Sequence, residues 1–193
     1  MKIWYDTEFL EDGITIELIS IGMVAEDGRE LYAVNEAIQS DTELYGRICH
    51  HDWLMANVIP HLPLTVNHGG KKNYRLPTGS MSSTGGGYFG LDLTSNLIMP
   101  GRMIRNAVRE FITATPDPQL WAWYGAYDHV ALAQLFGRMI DLPEGFPMWT
   151  NDLKQEATRL GATVPDQGEG AHNALEDARH NRAIDAYLKG LTS

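Results

Sequence analysis

The chain has 193 residues, 44% hydrophobic and 21% charged, which is the composition of a globular protein and excludes a coiled coil or a disordered tail as its main character. With 15 Lys and Arg against 25 Asp and Glu, the formal net charge is −10; this excludes a protein that coats nucleic acid with its whole surface, but not an enzyme that meets it through metal ions and a local basic patch. Cys49 is the single cysteine, no apolar run reaches the roughly 18 residues of a membrane span, and Asp6 and Glu8 interrupt any secretory segment, so a cytoplasmic protein without membrane contact is expected.

Residues 2–10 are short, apolar and aromatic and read as a buried strand. After the turn Glu11-Asp12-Gly13, residues 14–24 are rich in β-branched side chains and form a second strand; Asp27-Gly28 turns the chain into a third over 30–34. Residues 42–58 have helical character and stop before Pro60. The stretch 61–105 differs, with Pro63, Pro77 and Pro100 and a Gly/Ser/Thr run from Thr78 to Gly87, and reads as a Gly-rich basic insertion with mobile loops inside one domain spanning 1–193. Helical periodicity returns over 101–114, followed by a strand over 119–124 and helices over 127–139, 151–160 and 173–188. Three antiparallel strands followed by helices alternating with further strands predict an α/β fold with a mixed central sheet flanked by helices.

Asp6 and Glu8 stand two apart on the first strand, so both carboxylates project from one face. Two like charges about 4 Å apart repel by roughly 4 kcal/mol at an effective dielectric near 20, so the pair calls for a proton, a cation or a metal. Asp128 opens a helix after the apolar strand Leu120–Tyr124; alone it is a first-turn residue favoured by the helix dipole. His172 and Asp177 lie five apart, roughly 140° on an ideal helix, so they share a site only if His172 sits on the loop entering the last helix. Four carboxylates are the hard oxygen ligands that two Mg²⁺ or Mn²⁺ ions take, and an imidazole of ordinary pKa near 6.5 can deprotonate water at neutral pH. Two such ions can hold the attacking and leaving oxygens of a phosphodiester displacement.

The ordered set resembles the DEDDh 3′-5′ exonucleases of the ribonuclease H-like superfamily, and among them the polyadenylate-specific ribonuclease AS family. The segments that carry the resemblance are Tyr5–Gly13 (YDTEFLEDG), Thr15–Gly22 (TIELISIG), Trp121–His129 (WAWYGAYDH) and His172–Asp177 (HNALED); Asn173 stands where a relative with a catalytic tyrosine would carry it. The resemblance implies a ribonuclease H-like fold, two Mg²⁺ per site with Mn²⁺ a possible substitute, a homodimer, and release of nucleoside 5′-monophosphates from the 3′ end of single-stranded RNA, with a preference for polyadenylate. It implies that Asp6 bridges both ions, that Glu8 and Asp177 complete the site of the ion that activates water, that Asp128 serves the second ion, and that His172 is the general base. Phe9 and Leu10 follow the first motif where such enzymes pack on the terminal base and sugar; both equally suit the core.

The segment 61–105 departs from the family pattern. Within it Lys71, Lys72, Arg75, Arg102 and Arg105 face one acid, Asp92, so a basic loop over the RNA backbone competes with a plain solvated loop; Lys71 and Lys72 are its candidate phosphate contacts. Trp121 and Trp123 pack the core or place an indole near a substrate base. Cys49, His50, His51, His61 and His68 match no strong zinc spacing, and His129 reads as structural. The competing functions are a DEDDh exonuclease acting on DNA or short oligonucleotides and a catalytically silent RNA-binding module that keeps the fold.

Overall fold

The computed structural model describes residues 1–68, 74–75, 81–82 and 87–192. β1 (Lys2–Glu11), β2 (Ile16–Ala25) and β3 (Glu30–Asn35) form the expected antiparallel meander. They are followed by α1 (Ala37–Ser40), α2 (Thr42–Cys49), α3 (Asp52–Asn57), β4 (Leu64–His68), β5 (Tyr74–Arg75), β6 (Met81–Ser82), β7 (Tyr88–Leu91) and β8 (Ile98–Met99). Then come α4 (Gly101–Thr113), β9 (Gln119–Ala122), α5 (Ala126–Gln134), β10 (Asn151–Asp152), α6 (Leu153–Leu160) and α7 (Ala174–Gly190). The main sheet has six strands in the order β10-β9-β1-β2-β3-β8, antiparallel through the meander and parallel at both flanks. This is the mixed α/β sheet flanked by helices that the sequence predicts, consistent with a ribonuclease H-like fold.

β1 lies at the centre of the sheet because both its faces are apolar. Ile3 and Tyr5 join a core with α4 and α5 on one face, while Trp4 packs with α6 and α7 on the other. A third cluster gathers Leu10, Ile19 and Val34 under α2 and α3. β1 and β2 slip register between Glu8 and Phe9, where β2 advances two residues to one and Ile19 is the extra residue of a bulge. Parallel pairing of β1 with β9 covers Lys2–Trp4 alone, so the far half of β1 is an open edge on that side.

Several expected boundaries move, each for a local reason. The helix expected over 42–58 breaks at His50-His51, because His51 is extended and its Nδ1 accepts from Leu54 N–H to cap α3. The strand expected to reach 124 stops at Ala122, and Tyr124 takes a left-handed φ of +56°. The helix expected to reach 139 ends at Gln134, ahead of Gly137 at φ +107°. Asn151 and Asp152 are a short strand, and Asp152 caps α6 by accepting from Lys154 and Gln155 N–H. The segment 61–105 is tied to the core at both ends. β4 pairs with β7, Phe89 and Leu91 are buried under α2 and α3, Tyr45 donates to Phe89 O at 2.9 Å, and β8 extends the main sheet. Lys71 and Lys72 lie outside the described residues.

Candidate active site

Asp6 and Glu8 point from β1 toward α7, as the two-residue repeat requires. Asp128 reaches them from the first turn of α5 across the open edge of β1. Thr7 donates to its Oδ1 twice, from the backbone N–H at 2.8 Å and from Oγ1 at 2.6 Å. The edge N–H that β9 leaves unpaired is thus satisfied by the carboxylate that the site needs.

Asp177 arrives on the first turn of α7. This helix sits close on the sheet because its inward face begins with Ala174 and Ala178 and meets Gly22 of β2. A Cβ at Gly22 would lie 2.2 Å from Ala174 O. Gly22 also pairs with Asp6, so this tight helix–strand approach falls directly beside the first carboxylate. Asn181 of α7 donates to Tyr5 O at 3.0 Å and fastens the helix beside Asp6. Asn173 caps α7 by accepting from Leu175 and Glu176 N–H, which leaves His172 on the entering loop at a left-handed φ of +68°. His172 N–H donates to Asp177 Oδ2 at 3.0 Å, and Gln167 Nε2 donates to Asp177 Oδ1. The five-residue spacing therefore works as the sequence required, with the histidine off the helix. Its Nδ1 is 4.0 Å from Glu8 Oε1.

All five predicted residues line one cavity of about 610 Å³. No Lys or Arg is among its described lining residues. Burial pushes Asp6, Glu8, Asp128 and Asp177 above the usual carboxylate range, and repulsion within the set adds to this at Asp6 and Glu8. Asp6 is raised well above by desolvation, then by Asp128, Asp177 and Glu8. Glu8 is raised to about 8 by desolvation, then by Asp177 and Asp128. Asp128 reaches about 6, desolvation outweighing the Thr7 hydrogen bonds. Asp177 is raised by desolvation, moderated by Gln167 and His172 N–H. Such a set suits divalent cations: Glu8, His172 and Asp177 each offer a ligand atom within 4.8 Å of the others, and the four carboxylates Asp6, Glu8, Asp128 and Asp177 supply hard oxygen donors.

The walls are aromatic. Phe9 lines the cavity and meets Tyr127 edge-on at 6.0 Å. Trp123 also lines it, standing beyond the end of β9 and packing beside α6. Leu10, by contrast, is 3% exposed within the core beneath α2 and α3 and does not line the cavity, so of its two readings the structure places it in packing. Trp121 is on β9 with Lys2 Nζ 3.7 Å over its ring, away from the cavity. His129 Nδ1 bonds Thr150 Oγ1 at 3.0 Å, the structural role expected of it. Three contributors were not singled out from sequence. Trp53 meets the His172 ring edge-on at 4.8 Å, Gln167 holds Asp177, and Gly22 seats α7. Only the glycine within a strand carried any local signal. Among the described residues no zinc-type cluster forms around Cys49, which is buried, or His51, which caps a helix.

Residues 93–188, which include Asp128, His172 and Asp177, match the family model described as the 3′-5′ exoribonuclease Rv2179c-like domain. Two relatives from Mycobacterium tuberculosis, the 3′-5′ exoribonuclease MT2234.1 of strain CDC 1551 / Oshkosh and the 3′-5′ exoribonuclease Rv2179c of strain ATCC 25618 / H37Rv, are each 41% identical over 182 residues, 93% of this chain and 88% of theirs. The chain belongs to the Rv2179c-like family of 3′-5′ exoribonucleases and is an enzyme. No helix among the described residues is long and apolar enough to cross a membrane.

Proposed function

We propose that the protein is a two-metal-ion exoribonuclease of the DEDDh type, removing nucleoside 5′-monophosphates from the 3′ end of single-stranded RNA, with polyadenylate its preferred substrate and a cytoplasmic homodimer its working form. The observation that carries the reading is the meeting of Asp6, Glu8, Asp128, Asp177 and His172 in one cavity whose described lining holds no Lys or Arg. Asp6, Glu8, Asp128 and Asp177 would hold two Mg²⁺, with Mn²⁺ a substitute. When bound, the ions supply the positive charge that lets the carboxylates ionise together and that offsets charge building on the phosphodiester.

The chain's own groups do the remainder. His172 takes the proton of the attacking water on its imidazole. The water oxygen bonds to phosphorus, the P–O3′ bond breaks, and the departing O3′ takes a proton from solvent, so the upstream strand leaves with a new 3′-hydroxyl. Trp53 against one edge of the ring and the hydrogen bond from His172 N–H to Asp177 keep that imidazole at the acidic cluster. Thr7 fixes Asp128 through two hydrogen bonds. Phe9, Trp53 and Tyr127 give aromatic faces on which a purine base can stack, which supports the adenylate preference.

The test is a digestion ladder with 5′-labelled oligo(A), oligo(U), mixed RNA and single-stranded DNA in Mg²⁺, with chelator and Asp6→Asn controls. Stepwise shortening from the 3′ end, fastest for oligo(A) and abolished by chelator, is expected. Equal loss of all RNAs would remove the adenylate preference, and shortening that survives chelation would remove the metal mechanism.

A further inference from the structure

The catalytic cavity has the volume of a pocket for one small ligand, so most of a polymeric substrate must lie outside it. A second, open groove of about 530 Å³ adjoins it, lined by Tyr124, Asp152, Lys154, Gln155, Thr158 and Arg159. Tyr124 is a wall of both spaces. It is 64% exposed and held at a left-handed φ of +56°, an unusual backbone for a bulky side chain. The turn is pinned by Gly125 N–H on Asp152 Oδ2 at 3.1 Å. Behind it, Trp123 lines the catalytic cavity while Lys154 Nζ stands 5.5 Å over its ring.

The charges favour a polyanion here. Lys154 has no carboxylate partner among the described residues. Arg159 is 64% exposed at its side chain while held by Glu156. The one acid among the described residues lining the groove, Asp152, is occupied by the N–H groups of Gly125, Lys154 and Gln155. The rims at Trp53 and Pro165 instead lie next to Asp52 and Asp166.

Resting on the exoribonuclease reading, we propose that this groove is the track for the upstream RNA strand. Tyr124 stacks on a base as the strand leaves the cavity, and Lys154 and Arg159 contact the phosphates behind it.

The test uses the Lys154→Ala/Arg159→Ala double variant and Arg138→Ala, an exposed cation outside both spaces, as the charge control. Hydrolysis of a 20-residue oligo(A) is compared with that of the adenylate dinucleotide, and binding of fluorescent 20-mer is measured by anisotropy in chelator. The double variant is expected to lose roughly tenfold in kcat/KM on the 20-mer relative to the dinucleotide. Its binding should show a salt slope shallower by about 1.4, so that raising salt from 50 to 200 mM costs the wild type about sevenfold more. Equal losses on both substrates, a wild-type salt slope, or the same effect from Arg138→Ala would overturn the track. Wild-type protein that cuts no RNA, yet binds the 20-mer through these two residues, would overturn the enzymatic reading and leave the groove standing.

Discussion

Gly22→Ala is the most telling single perturbation, because one methyl group acts on the catalytic geometry without touching substrate. The added Cβ would sit 2.2 Å from Ala174 O and 2.3 Å from Leu175 N, both backbone atoms, whereas real Cβ contacts stay above 3.0 Å. The start of α7 must therefore retreat by about 0.8 Å or more. Asp177 rides on that turn, and the loop bearing His172 is hydrogen-bonded to it. A misplacement of about 1 Å costs on the order of 10²-fold in rate, so kcat should fall by about that much. Overpacking costs roughly 1–3 kcal/mol, a drop in Tm of roughly 2–12 °C for a domain of this size. Gly46→Ala is the matched control: a Cβ there meets nothing within 4 Å, and α2 should gain about 0.5–1 kcal/mol with activity unchanged. Steady-state digestion of 5′-labelled oligo(A) and a thermal melt read both variants. A Gly22→Ala enzyme that melts like the wild type and keeps kcat within about threefold would refute the claim that this contact sets the site.

His172→Ala should lower kcat by about 10²–10⁴-fold while calorimetric Mg²⁺ binding stays nearly intact; full activity at neutral pH would show that another group is the base. In chelator, stability should fall as pH rises. Asp128 and Glu8 have folded-state pKa values raised to about 6 and about 8, so the folded protein holds more protons than the unfolded chain, and that stabilisation, full below their ordinary range, is lost as pH passes through those values. The Tm increase from added Mg²⁺ should accordingly be larger at pH 8 than at pH 6, and equal increases would contradict the charge argument. Reversing Lys71 and Lys72 to Glu should raise KM for every RNA alike if they meet the backbone; an unchanged KM would leave them as solvated loop residues.

What the sequence made legible is what depends on short-range rules. Alternation put Asp6 and Glu8 on one face, and helical spacing required His172 to stand off α7, where the structure has it. The missing parts are set by tertiary packing. Trp53 reaches His172 only because the stretch 42–58 breaks, and the break rests on one ring nitrogen of His51 capping α3. No periodicity in that stretch announces it. The inward turn of Phe89 and Leu91, which anchors the expected loop region, depends on α2 and α3 lying above them. Leu10 and Phe9 are adjacent in sequence yet part company, one to the core and one to the cavity, as successive residues of a strand must.

The acids of this site come from three elements that share no local sequence, and each is held by a contact whose main role is to complete the fold. Asp128 satisfies a strand edge that β9 leaves open, Asp177 rides a helix seated on a glycine, and Asn181 ties that helix to the carbonyl preceding Asp6. Mutual repulsion among the carboxylates works against this geometry, since Asp128 and Asp177 raise the pKa values of both Asp6 and Glu8. The precision therefore comes from packing and backbone hydrogen bonds and not from attraction within the site. Substitutions at Gly22, Thr7 or Asn181 should for that reason reduce turnover more than they reduce RNA binding, although none of the three is a predicted ligand or base.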